Sequence, residues 1–86
     1  MKKQYMDRKE IETKVNQFLV NDFEIDEEAI KEDALLKDDL GIDSLDYVDI
    51  VVIVERTFGF KIKPEEMTVV HTLKEFYDYI AAKVNS

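Results

Sequence analysis

Chain breakers are scarce: two glycines and one proline, Gly41, Gly59 and Pro64, stand among 86 residues. Hairpins would need repeated Asn-Gly or Asp-Gly turns, so the pattern favours helices joined by loops. The predicted fold is all-α, a four-helix bundle of three long helices and one short one, with a long loop between the first two. The length suits a single domain over residues 1–86 with one small hydrophobic core.

Asp7 followed by Glu10 has the form of a capping box, and Ile11, Val15, Phe18, Leu19 and Phe23 then recur at helical spacing. These predict a first helix from about Asp7 to Phe23. Over 24–43 the periodicity weakens and acids dominate. Ile25, Ile30, Leu35, Leu36, Leu40 and Ile42 nevertheless recur as anchors, which an unstructured linker would not carry. Gly59 then reads as the C′ residue of a second helix, and Pro64 with Glu65 and Glu66 as the first turn of a short helix reaching about Val69. Thr72 and Glu75 form a second capping box, and Leu73, Phe76, Tyr77, Ile80, Ala81 and Val84 give the last helix its apolar face as far as about Lys83.

The stretch between, SLDYVDIVVIVERTF, carries a β-branched run with strand propensity. Its geometry favours a helix: at ~100° per residue, Tyr47, Ile50, Val51, Val54 and Phe58 share one arc. Leu45, Val48 and Val52 line up on another, bordered by Asp49, Glu55 and Arg56. That strip is either a second packing face or a docking surface for another protein. Val and Ile make an intrinsically weak helix, so this element is expected to depend on tertiary packing.

Charge sorts the chain into blocks. Residues 1–20 carry three acids and five bases, 21–49 twelve acids and two bases, and 50–86 five of each, for a net charge of −8. A nucleic-acid binder should present a basic face, so that class is excluded, and partners with basic surfaces are favoured. The absence of Cys excludes a disulfide scaffold, a thiolate zinc site and a catalytic cysteine, and points to a cytoplasmic protein. No apolar run approaches the ~20 residues of a membrane span, and MKKQYMDRKE lacks the apolar region of a signal peptide. A calcium loop fails, because Gly41 at the sixth position puts Leu36, Leu40 and Tyr47 where oxygen ligands are needed. No metal site is expected. A Ser-His-acid triad fails too, since His71 is the one histidine and no G-x-S-x-G elbow surrounds Ser44.

Ser44 is one of two serines, the other being the terminal Ser86, and it stands at the mouth of the second helix after the Gly41 turn. A serine there can be a helix cap and nothing more. Its surroundings, LKDDLGIDSLDYVDIV, however, resemble the attachment segment of acyl carrier proteins, with its D-L-G-x-D-S-L signature. The resemblance extends over essentially the whole chain, from the capped first helix to the closing YDYI.

The resemblance implies that Ser44 receives a 4′-phosphopantetheine arm from coenzyme A, with Asp43 and Leu45 as its immediate neighbours. The arm would supply the thiol that the chain lacks. A phosphodiester at a helix N-terminus would gain from the dipole and nearby N–H groups. Asp43 and Asp46 add like charge beside it, so they are assigned to recognition by a basic transferase surface or to holding its Mg²⁺. The strip of Leu45, Val48 and Val52 would then be the docking face: Leu45 and Val52 match the family's docking positions, and Asp43, Asp46, Asp49 and Glu55 match its acidic ring. Arg56, Thr57, Lys61 and Lys63 depart from its pattern of further acids and a proline, which leaves two readings open, a general fatty-acid carrier and a carrier dedicated to a specialised pathway. Tyr47, Ile50, Val54, Ile62, Met67 and Leu73 are ordinary core residues or the lining of an acyl-chain slot.

The implied protein is a non-enzymatic monomer that presents thioesters to acyl-transferring, condensing and reducing enzymes of fatty acid, specialised lipid or polyketide synthesis. A peptidyl or D-alanyl carrier would use the same arm, whereas an unmodified helical interaction module would use none.

Overall fold

The structure is a computed structural model and describes residues 6–85. Three α-helices form its frame: α1 over Arg8–Phe23, α2 over Tyr47–Phe58 and α3 over Leu73–Val84. A six-residue 3₁₀ helix over Pro64–Val69 is the short fourth member. Among the described residues the extended pairing is confined to one antiparallel bridge, between Leu35 and Thr72. The predicted all-α bundle of three long helices and one short one is therefore the observed architecture.

α1 buries Ile11, Val15, Phe18 and Leu19, the row expected from its spacing, against α3. Each such side chain contributes roughly 1.5–3 kcal/mol when removed from water. Phe18 meets Phe76 edge to face, with ring centroids 6.4 Å apart and planes at 79°. Tyr77 donates its hydroxyl to Asn16 Oδ1 at 2.5 Å, and burial pushes the phenol up to about 12. Arg8 closes the same seam: it pairs with Glu12 at 3.0 Å and Asp78 at 2.7 Å, and its guanidinium lies 5.5 Å from the Tyr77 ring centre.

The expected capping box at Asp7 does not form. Asp7 is the N-cap residue, yet its side chain accepts no cap hydrogen bond, and the helix begins one residue later than expected. At the other end Glu24 takes the left-handed conformation at φ 57° and returns its N–H to Leu19 O. The chain tolerates a non-glycine residue there because the turn carries Ile25 into the core, with the Ile25 N–H also on Leu19 O at 3.1 Å.

The long loop is held from both sides. Ile25, Ala34, Leu36, Leu40 and Ile42 are buried, so four of the six expected anchors enter the core. Ile30 is half-buried, and Leu35 points outward because it forms the bridge to Thr72 while its neighbours Ala34 and Leu36 turn inward. The main chain completes the attachment. Leu36 N–H donates to His71 O at 2.9 Å, while Leu73 and Lys74 donate to Ala34 O and Glu32 O, both at 2.9 Å. These bonds satisfy backbone groups that a buried loop would otherwise leave unpaired.

They also set the entrance to α3, where the second predicted capping box is present: Glu75 N–H donates to Thr72 Oγ1 at 3.1 Å, and Glu75 Oε1 accepts from Thr72 N–H at 3.2 Å. Glu75 accepts from His71 N–H as well, and these backbone bonds hold its carboxyl below the usual range.

The short helix is 3₁₀ rather than α, with Pro64 in its first turn and Thr68 Oγ1 donating back to Glu65 O at 2.7 Å. Glu66 ties it to α3 by accepting from the Tyr79 hydroxyl and pairing with Lys83 Nζ at 3.8 Å. Burial and the Glu66 carboxylate together raise the Tyr79 phenol.

The contrast between the two boxes is measurable. Thr72→Ala should lower the unfolding free energy by about 1 kcal/mol in urea titrations, whereas Asp7→Ala should cost less than about 0.5 kcal/mol. Equal losses would mean that Asp7 caps α1 after all.

Candidate functional site

The segment from Gly41 to Tyr47 turns the chain out of the loop and into α2. Gly41 sits at φ 72°, a conformation that favours glycine, and the buried Ile42 fixes the turn from beneath. Residues Ser44–Asp46 then form a 3₁₀ turn that runs directly into α2. Its capping residue is Asp43 and not Ser44. Asp43 Oδ1 accepts from Leu45 N–H at 3.0 Å, and Asp43 N–H donates to Asp46 Oδ2 at 3.2 Å, which closes a reciprocal capping box. A further bond runs from Asp46 N–H to Asp43 O at 3.0 Å.

This arrangement changes two expectations. Asp43 and Asp46 have a local task, since they hold the turn together by satisfying its orphan N–H groups. Those same N–H groups, on Asp43, Leu45 and Asp46, are consequently engaged and are not the anion-binding donors foreseen for a phosphodiester. The signal for the box was legible, because Asp43…Asp46 repeats the spacing of Thr72…Glu75.

Capping by Asp43 releases Ser44. Its side chain is exposed, and among the described residues nothing hydrogen-bonds to its hydroxyl. A hydroxyl that is reachable, uncommitted and held on a rigid turn fits a covalent attachment point, because a modifying enzyme must reach Oγ and the product must project into solvent. No group of three or more His, Cys, Asp or Glu side chains is arranged to hold a metal among the described residues.

α2 resolves its two arcs cleanly. Ile50, Ile53 and Val54 are buried, and Tyr47, Val51 and Phe58 are half-buried against the same core. Ile53 lay outside the predicted arc; its burial widens the apolar stripe toward α1. Leu45, Val48 and Val52 are exposed at 83%, 57% and 54%. This strip is thus an open surface and not a second packing face. Asp49, Glu55 and Arg56 border it, all exposed, and Asp43 and Asp46 lie at its Ser44 end.

Where the strip meets the end of α1, a hollow of about 280 Å³ is lined by Asp22, Phe23, Asp49, Val52, Ile53 and Arg56. Sequence reasoning did not bring Asp22 and Phe23 to this face, since only the packing of α1 against α2 does so.

Of the residues assigned to an acyl slot, Ile50, Val54, Ile62, Met67 and Leu73 are buried and Tyr47 is half-buried. They form part of one continuous core. Three surface hollows among the described residues, of about 280, 360 and 380 Å³, are lined by other residues.

Reassigning the cap has a direct consequence for stability. Ser44→Ala should alter the unfolding free energy by less than about 0.5 kcal/mol, and Asp43→Ala should lower it by about 1 kcal/mol. A larger loss for Ser44→Ala in urea denaturation would return the capping role to the serine.

Residues 14–80 match the family model described as the phosphopantetheine attachment site. An acyl carrier protein of Rubrobacter xylanophilus is 35% identical over 75 residues, which cover 87% of this chain and 93% of that protein. Acyl carrier proteins of Syntrophobacter fumaroxidans and Coprothermobacter proteolyticus are 42% and 39% identical over 43 and 46 residues, covering 50% and 54% of this chain. Those two matches span about half of each relative, 53% and 56%. The chain belongs to the acyl carrier protein family, whose members bear a 4′-phosphopantetheine group.

Proposed function

We propose that Ser44 is the attachment serine and that the chain carries acyl intermediates for fatty acid or related specialised lipid or polyketide synthesis in the cytoplasm. The observation that carries this reading is the exposed Ser44 hydroxyl, without a hydrogen-bond partner among the described residues and held between the two arms of the Asp43–Asp46 capping box. When bound, the arm contributes a thiol able to hold an acyl group as a thioester. The chain contributes position: the box fixes the turn, Leu45 stands exposed beside Ser44, and α2 presents its apolar strip and acids to incoming enzymes.

In this reading a phosphopantetheinyl transferase approaches the acidic Ser44 end with a basic surface, steered by complementary charge. Asp43, Leu45, Asp46, Val48, Asp49, Val52, Glu55 and Arg56 form the docking face. Acyl-transferring, condensing and reducing enzymes would use it in turn.

The acyl chain is proposed to lodge among Tyr47, Ile50, Val54, Ile62, Met67 and Leu73. Tyr47 supports this as the half-buried residue one turn beyond Ser44, leading from the surface to the buried members. The buried members are tightly enclosed, so entry of a chain would require α2 or the short helix to give way. α2 is suited to this, since its Val and Ile residues favour the helix weakly without packing.

Two experiments test these proposals. Intact mass after incubation with coenzyme A, Mg²⁺ and a broad-specificity transferase should show the gain of one arm in the parent and none in Ser44→Ala. No gain in a folded, unmodified parent would favour an interaction module that acts without the arm. For the slot, methyl NMR of the octanoyl-loaded chain should show the resonances of Ile50, Val54 and Met67 shifted from those of the unacylated holo form. Shifts restricted to Leu45, Val48 and Val52 would place the acyl chain on the outer face instead.

A further inference from the structure

We infer that the docking face of α2 is bipolar, and that the enzymes it fits carry a bipolar counterpart: cations opposite the Ser44 end and carboxylates opposite the Gly59 end. This inference rests on the reading of α2 as the docking face and specifies the chemistry of the partner.

Arg56 belongs to that face by position. It continues the exposed row Leu45, Val48, Val52 at the next helical step, and with Val52 and Asp49 it lines the hollow against Asp22 and Phe23. Just beyond the Gly59 turn, Lys61 and Lys63 flank the buried Ile62 and are both exposed, as the alternation of an extended segment requires. Among the described residues none of these three cations forms an ion pair. Arg56 also suits the last turn of a helix, where a cation meets the dipole. That local role does not extend to Lys61 and Lys63, which lie past the helix end.

The two ends differ in sign. Residues 38–49 hold five aspartates and no cation, whereas residues 55–65 hold three cations and two acids. Asp46 and Arg56 lie ten residues apart, ~15 Å along the helix axis, and this exceeds the ~8 Å over which exposed charges act at physiological salt. Each end therefore selects its own patch on a partner. A uniformly basic surface gains at Asp43, Asp46 and Asp49 and is repelled at Arg56, Lys61 and Lys63. A surface with carboxylates at the far end gains at both, while the apolar strip of Leu45, Val48 and Val52 receives its apolar side chains. The acids alone attract many basic proteins; the cations narrow the choice.

The test measures the Kd of the unloaded chain by ¹⁵N NMR titration with a condensing enzyme whose carrier-binding face is uniformly basic. It does not pass through Ser44, so its outcome is separate from that of arm loading. The variant Arg56→Glu/Lys61→Glu/Lys63→Glu should bind at least about fivefold more tightly than the parent, with Arg56→Gln/Lys61→Gln/Lys63→Gln between them. The variant's affinity should also fall more steeply with salt. Urea denaturation of each variant checks that the fold is kept. Equal or weaker binding by the reversed variant, including no binding by either protein, would overturn the inference.

Discussion

The burial of Ile50, Ile53 and Val54 on one side of α2 is the constraint from which the functional surface follows. A helix whose centre reads IVVIV gains little from intrinsic propensity, so its orientation is set by the core that accepts those three side chains. Once they face inward, helical geometry leaves Leu45, Val48 and Val52 no choice but the outside. The exposed strip is then a consequence of the core and does not stand apart from it. Substitutions that rotate α2 would disturb the outer face even when they leave its residues untouched.

The 3₁₀ turn that leads into α2 has to be held by other means, because none of Ser44, Leu45 and Asp46 is buried in the core. Asp43 and Asp46 do this with a reciprocal box, and the price is two carboxylates beside the serine. In a purely structural setting Ser44 itself could have capped the helix through its hydroxyl. Giving the capping task to Asp43 instead separates the group that stabilises the turn from the one proposed to be modified. Covalent change at Ser44 would then leave the hydrogen bonds that define the turn intact. The same two carboxylates lie where a basic enzyme surface would approach, so one pair of residues can serve both folding and recognition.

Much of this was legible from residue spacing. The rows of α1 and α3, the Thr72–Glu75 box, the Pro64 start and the Gly59 stop all rest on contacts within a few residues, and the structure repeats them closely. The misses share a different origin. Asp7 fits the pattern of a box but its side chain accepts no cap hydrogen bond, because local spacing permits that bond without requiring it. Ala34 is buried and Leu35 is turned out by the bridge to Thr72, a pairing across 37 positions that periodicity within the loop cannot register. Asp22 and Phe23 joined the face of α2 for the same reason, through packing between helices distant in sequence. The Asp43–Asp46 box is the exception, a local signal present in the sequence and hidden by the serine it encloses.

Charge and packing meet at the far end of α2. Gly59 takes φ 85° to end the helix, and Phe58 and Phe60 pack on either side of it with ring centroids 6.3 Å apart. Ile62 then turns into the core, which obliges Lys61 and Lys63 to face out. Their exposure is fixed by the burial of their neighbour, just as that of Leu45, Val48 and Val52 is fixed by Ile50, Ile53 and Val54. Both poles of the outer surface are thus written by what lies beneath them. Which residues occupy the exposed positions is free to vary without cost to the core, since unpaired surface charges contribute little to stability. A bundle of this kind can therefore keep its interior and its capped serine while the signs on its outer face change, and with them the proteins it fits.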